Sequence, residues 1–223
     1  AGVGRLLERL HELGKSEDTL VIFTSDNGMN MGHHGIWGKG NGTFPFNLYD
    51  TAVKVPFIAR YPGVIPADRV TRSMCSHYDI IQTLKELLEL DGELPEGLPG
   101  KSFASVLKGA EEADNHVVIL DEYGSSRMIR DRAWKYIHRY PYGPDELYHL
   151  EKDPEEKENL AGQQEYEDIR CGLFDKLQKW YARYADAAVD GTREAVTGMG
   201  QLRRPGLFSK GRQVYARTTK YQK

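Results

Sequence analysis

Cysteine is scarce in this sequence: Cys75 and Cys171 are the only two among 223 residues, far apart and in no C-x-x-C spacing. That excludes a disulfide scaffold and a zinc ribbon, and it names no compartment. Long apolar runs are missing as well; none approaches the roughly 20 residues of a membrane span, so no membrane partner is expected. Neither sign of charge is in large excess. The 30 Lys and Arg against 33 Asp and Glu leave a formal charge of -3, which provides no surface-wide field for nucleic acid, and any anion must be held locally. What is present is the texture of a folded protein, 39% hydrophobic and 28% charged, long enough for one ordinary domain and a smaller second one.

The first residues do not read as a signal peptide, and no capping residue stands before the first expected helix. Val3, Leu6, Leu7, Leu10 and Leu13 recur at helical spacing, with Arg5, Glu8, Arg9 and Glu12 opposite them. An amphipathic helix that begins at residue one without a cap is the mark of a fragment. Gly14 closes it, and Thr19-Leu-Val-Ile-Phe-Thr24 is apolar on both faces, as a central, buried strand would be. A Gly-rich segment, 25–54, follows without periodicity; such a long connection is more often functional than idle. Val55 to Arg60 reads as the next strand and Asp79 to Leu90 as a second amphipathic helix, with Ser76 and Asp79 spaced as a capping box. Ser102 to Lys108 reads as one more short helix.

Beyond a linker at 111–114 the pattern changes to short strands: His116 to Glu122, Arg127 to Arg130, Trp134 to Arg139 and Glu146 to Leu150 predict an antiparallel meander. A helix over Tyr166 to Tyr184 offers Ile169, Leu173, Leu177, Trp180 and Tyr181 to cover one side of it. The organisation is therefore 1–110 as part of an α/β domain, 111–185 as a small α+β subdomain and 186–223 as a tail. In the tail Arg203, Arg204, Lys210, Arg212, Arg217, Lys220 and Lys223 face no acidic residue after Glu194. This is either a local polyanion site or a solvated or folded-back arm.

Polar groups crowd the segment from Thr24 to Gly40, just past the first strand, where open α/β sheets bind ligands. Asp26 and Asn27 offer a carboxylate and an amide oxygen, hard ligands suited to calcium or magnesium, although Asp-Asn-Gly also reads as a turn. In Gly38-Lys39-Gly40 a cation sits between residues without side chains, open to a small anion; a solvated loop lysine is the bland alternative. His33 and His34 are adjacent, so in an extended segment only one faces a ligand. His34 is favoured, because Gly35 and Trp37 lead from it to Lys39. Asn41-Gly-Thr43 is a glycosylation sequon, but a glycan there would block this pocket, so it is read as chance.

In order, T-L-V-I-F-T-S-D-N-G, G-H-H-G-I-W-G-K-G and V-K-V-P-F-I with Y-P-G resemble the second half of a sulfatase of the arylsulfatase type, in the alkaline phosphatase superfamily. Leu98-Pro-Gly-Lys-Ser102, Trp134-Lys-Tyr-Ile137, Glu146-Leu-Tyr148 and Asp153-Pro-x-Glu-x-x-Asn159-Leu extend the likeness over residues 3 to 182. The resemblance implies the C-terminal part of an alkaline-phosphatase-like mixed-sheet sandwich plus a small antiparallel-sheet subdomain. It implies Asp26 and Asn27 as metal ligands, with Ca2+ ahead of Mg2+, Lys39 on the sulfate oxygens and His34 in the pocket. It implies an aryl or carbohydrate sulfate ester as substrate. The family's nucleophile is a formylglycine made from cysteine in a C-x-P-S-R-like motif; neither Cys75 nor Cys171 lies in one, and both are expected to be buried. The chain alone is therefore expected to be inactive, with half a metal site, and its first strand, lacking neighbours, to promote self-association. Arg127 and His138 are candidate substrate-facing residues of the second domain. Two other readings stay open: a phosphonate monoester or phosphodiester hydrolase of the same superfamily, and a noncatalytic polyanion-binding module.

Overall fold

The computed structural model describes residues 2–40, 46–110, 115–120, 126–140, 143–192, 202–204 and 206–214. The linker at 111–114, the sequon at 41–43 and the basic residues Arg217, Lys220 and Lys223 lie outside them. In chain order the elements are α1 (Gly2–Glu12), β1 (Val21–Thr24), β2 (Asn30–Met31), β3 (Trp37–Gly38), α2 (Asp50–Val53), β4 (Phe57–Arg60), α3 (Ile80–Leu87), α4 (Ala104–Leu107), β5 (Val117–Leu120), β6 (Ser126–Arg130), β7 (Trp134–Arg139), β8 (Glu146–His149) and α5 (Glu167–Tyr184). They group into two compact units, one of Ala1–Asp26 with Val55–Ala113, the other of Asn27–Lys54 with Asp114–Lys223.

In the first unit β1 pairs antiparallel with β4, Val21 opposite Arg60 and Thr24 opposite Phe57. Among the described residues β4 is the only strand hydrogen-bonded to β1. The expectation of a buried strand is therefore corrected: Phe23 is 47% exposed, because one neighbour cannot cover two apolar faces. Likewise no residue of α1 is buried, and Val3, Leu6 and Leu13 stay exposed.

The capping box is present ahead of α3. The Ser76 N–H donates to Asp79 Oδ2 (2.7 Å), and Asp79 Oδ1 accepts from the Lys101 N–H (2.8 Å). A 3₁₀ turn, His77–Asp79, takes in Asp79, the first residue expected to be α-helix. The helix also ends before Leu90: Glu89 takes a left-handed φ of 52° and the Leu90 N–H returns to Lys85 O, a six-to-one closure that stops the helix short of Gly92.

In the second unit β5 to β8 form the antiparallel meander in sequence order, as the succession of short strands and turn signals predicts. On one face α5 lays Leu173, Leu177 and Tyr181 against Val118, Ile129, Tyr136 and Leu147. On the other, Leu48 joins Met128, Ile137, Tyr148 and Leu150, with Tyr49 and Val53 packed alongside. The sheet is covered twice, by a long helix and by the segment entering α2. This second cover buries Lys135 and Arg139 on the sheet face opposite α5.

Candidate active site

The loop 27–40 is built around a buried amide. Asn30 is fully buried on the β2–β3 hairpin; its Nδ2 donates to Asn47 Oδ1 (3.2 Å) and Gly38 O (3.3 Å), and its Oδ1 accepts from Thr51 Oγ1 (2.5 Å). A buried amide of this kind must satisfy its donors and acceptor internally, which fixes the hairpin on 47–51. Asn30 opposes Gly38 and Met31 opposes Trp37 in the ladder.

Both ends of the loop dock on the same short segment. At one end the Gly28 N–H donates to Ala52 O (2.9 Å), and a Cβ at Gly28 would collide with the Thr51 and Ala52 backbone. At the other, Gly40 O accepts from the Asn47 N–H (2.9 Å) and Nδ2 (3.1 Å), and a Cβ at Gly40 would fall 2.7 Å from Asn47 O. The glycines beside Asn27 and Lys39 are thus required by close backbone approach. Gly38, on the other side of Lys39, has a φ of 135°.

Lys39 is exposed immediately after β3. His33–Gly35 is a 3₁₀ turn, which corrects the extended geometry expected there, and His34 sits at φ 53°, ψ 24°. Its ring stacks on Tyr49, centroids 3.9 Å apart and planes within 7°. Burial, aided by the Glu146 charge, pushes the Tyr49 phenol above its usual pKa, so a neutral ring supports the imidazole. Asp26 is exposed at the end of the first unit, with Ser25 Oγ 3.3 Å from its Oδ1. Asn27, next in the chain, is half-buried and donates through Nδ2 to Gly28 O (2.6 Å).

The donors of Asp26 and Asn27 are hard oxygens, the kind calcium takes, but two fall short of the roughly six to eight it requires. Among the described residues no group of three or more His, Cys, Asp or Glu side chains could hold a metal ion. The pair fits the metal in kind and would need ligands from elsewhere.

A family model for the C-terminal region of N-sulphoglucosamine sulphohydrolase matches residues 32–183. The chain belongs to this sulfatase family. An ulvan-active sulfatase of Formosa agariphila is 28% identical over 210 residues, covering 77% of this chain and 39% of the relative. A solved structure of a protein in complex with its substrate, D-glucosamine-2-N,6-O-disulfate, superposes with a TM-score of 0.72 at 25% identity, over 86% of this chain and 40% of that one. The phosphonate monoester hydrolase of Agrobacterium radiobacter superposes with a TM-score of 0.67 at 32% identity, over 82% and 39%. The fold is the mixed α/β fold of alkaline-phosphatase-like sulfatases, and the chain spans about two fifths of the length of the relatives it matches.

Within this sulfatase domain some expectations change. Cys75 and Cys171 are exposed rather than buried. Cys171 lies on α5 away from its apolar face, its Sγ donating to Glu167 Oε1 (3.4 Å). Although Cys75 is exposed as a residue, partial desolvation of its thiol, with the nearby Asp79 carboxylate, pushes its pKa up to about 11, which opposes a nucleophilic role.

Arg127 and His138 stand on the α5 side of the sheet. Arg127 lies 3.7 Å from the Tyr181 ring centroid and pairs with Asp190 (3.1 Å), while His138 contacts Asp145 and the Phe174 ring. Both are engaged in holding the helix to the sheet. In the tail, Val214 is buried and its carbonyl accepts from the Leu202 N–H (2.7 Å), which ties the two ends of this stretch to each other. The residues that organise the loop, Asn30, Asn47, Tyr49 and Thr51, carry no sequence signal beyond their polarity and were not among the sequence candidates.

Proposed function

We propose that this chain supplies the sulfate-binding loop and two metal ligands of a sulfate-ester hydrolase. The single observation that carries the reading is that Gly28 and Gly40 dock on one segment, 47–52, so that the Asn27 and Lys39 ends of the loop share one support. In the reaction the transferring sulfuryl group spreads negative charge over its oxygens. A lysine whose ammonium is aimed at those oxygens lowers the barrier by stabilising charge that grows in the transition state. Lys39 is that cation, kept mobile by its stem but fixed at its backbone by the flanking glycines. His34, held flat on Tyr49, orients the ester from the side of the pocket.

Asp26 and Asn27 would hold a calcium ion with ligands from outside this chain; when bound, it would supply Lewis-acid polarisation of a sulfate oxygen. The nucleophile, a formylglycine, would likewise come from outside the chain. Sulfated carbohydrate is the favoured substrate class, since the proteins similar to this chain include an ulvan-active sulfatase and a structure holding a glucosamine disulfate. The second reading, hydrolysis of a phosphonate monoester with the same lysine and metal, is favoured by the 32% identity to a phosphonate monoester hydrolase.

The test uses protein expressed from the complete reading frame, assayed on paired aryl sulfate and aryl phosphonate esters. Faster sulfate turnover is expected, and Lys39→Ala should lower kcat by roughly 10²- to 10³-fold, the usual cost of losing one charge-stabilising donor. Faster phosphonate turnover would replace the first reading with the second. Full activity in Lys39→Ala would overturn the role given to this residue.

A further inference from the structure

Lys135 is wholly buried in the middle of β7, on the sheet face away from α5. Its Nζ lies 2.5 Å from Glu156 Oε1 and 2.6 Å from Asp50 Oδ1, and it donates to Leu48 O (3.1 Å). The contact with Asp50 is ionic, without hydrogen-bond alignment. Arg130 Nη2 is 3.1 Å from Asp50 Oδ2, and the Asp50 N–H donates to Glu156 Oε2 (2.6 Å). Two cations thus face two carboxylates. Glu156 is itself 3% exposed and held at a left-handed φ of 56°, a conformation that a non-glycine residue keeps only when its surroundings insist on it.

Outside the sheet and its following turn the cluster is held by Leu48 O and Asp50, which belong to the segment on which the candidate loop rests. Tyr49 stacks on His34, Thr51 holds Asn30, Ala52 O takes the Gly28 N–H and Asn47 binds Gly40 O. We propose that Lys135, Asp50 and Glu156 are positioning residues for the candidate site: a buried charge cluster that clamps 47–52 to the C-terminal sheet and so sets where His34 and Lys39 stand. The proposal deepens the sulfatase reading and rests on it for the roles of those two residues. It gives the Glu of the Asp-Pro-x-Glu-x-x-Asn-Leu segment a task at the other end of the fold, 106 positions from Asp50.

The test has two arms. In this chain, labelled for NMR of the histidine rings, the His34 ring protons carry the upfield shift of a ring stacked at 3.9 Å. Glu156→Gln keeps an acceptor for the Asp50 N–H and removes one charge. The His34 signals should then move toward those of exposed His33, while His149, packed on Trp134 (4.4 Å), keeps its own. Lys135→Arg, which keeps the charge but changes its shape, should give a smaller movement of the same kind and serves if the first variant does not fold.

In protein from the complete reading frame, Glu156→Gln should lower kcat about tenfold or more with KM changed less than about threefold, the pattern of a displaced transition-state contact. Leu177→Ala, in the core under α5 on the opposite sheet face, should lower the melting temperature yet leave His34 and kcat unchanged. Unmoved His34 signals in Glu156→Gln overturn the proposal, as does an equal response to Leu177→Ala. Absence of any sulfate-ester turnover would instead sink the functional reading, and the His34 arm would still decide the clamp.

Discussion

Replacing Lys135 by Met is the sharpest thermodynamic test of the buried cluster. Methionine fills much of the same volume, so packing is nearly kept, while Asp50 and Glu156 lose their shared ammonium. Glu156 is 3% exposed and Asp50 retains Arg130, so the uncompensated charge falls mainly on Glu156. Breaking a buried pair from one side costs about 3–5 kcal/mol, a large share of the roughly 5–15 kcal/mol that holds a domain folded. At about 2–4 °C per kcal/mol for a chain of this size, the melting temperature should drop by about 6–20 °C.

The assay is urea unfolding followed by the fluorescence of Trp134 and Trp180, at several pH values. In the wild type, burial already pushes the Glu156 carboxyl above its ordinary value of 4.5, against the pull of Lys135. Without Lys135 the pKa rises further. A raised carboxyl destabilises the fold when ionised, so the deficit of Lys135→Met is full above the raised folded-state pKa and shrinks as pH falls toward 4.5. Lys135→Met combined with Glu156→Gln should recover part of the loss at neutral pH. A loss below about 1 kcal/mol, the size of an exposed pair, or one that does not change with pH, would refute the reasoning.

On the opposite face of the sheet, burial raises the Asp145 carboxyl, but hydrogen bonds from His138, Tyr136 and the Arg139 N–H outweigh it and hold it below its usual value. Its contribution is therefore present above 3.8 and lost as pH falls through the lowered folded-state pKa; Asp145→Asn should cost about 1–3 kcal/mol at pH 7 and flatten that acid limb, as pH-dependent melts would show. Gly28→Ala drives a methyl into the backbone of Thr51 and Ala52, and overpacking of that kind costs about 1–3 kcal/mol. An unchanged melting temperature in that variant would mean that the loop does not rest on α2 as described.

The second unit is legible in the sequence because its signals are local. The short apolar strands in 117–149 and the apolar stripe of α5 are each signals confined to a few neighbouring residues, and the resulting meander and cover follow. The Ser76 and Asp79 box is equally local and is found in place. What could not be read is the clamp. In Trp-Lys-Tyr-Ile-His-Arg139 the Lys and Arg positions look like a solvent face, and only the distant segment 46–50 buries them: Arg139 donates to Phe46 O (2.6 Å) and pairs with Glu146, and Lys135 meets Asp50 and Glu156. The first strand misled in the opposite sense, because an all-apolar run reports what the strand would prefer to touch, not what lies beside it.

Asp50 and Glu156 are separated by 106 positions, and that separation is also an interval of time. A ribosome adding about 5–20 residues per second completes the distance in roughly 5–20 s, far longer than the microseconds in which a hairpin such as β2–β3 can close. During synthesis the loop bearing His34 and Lys39 is therefore made early and acquires its support late. Its support by Glu156 can form only once that residue has been made, so a product truncated or stalled before it would lack this contact.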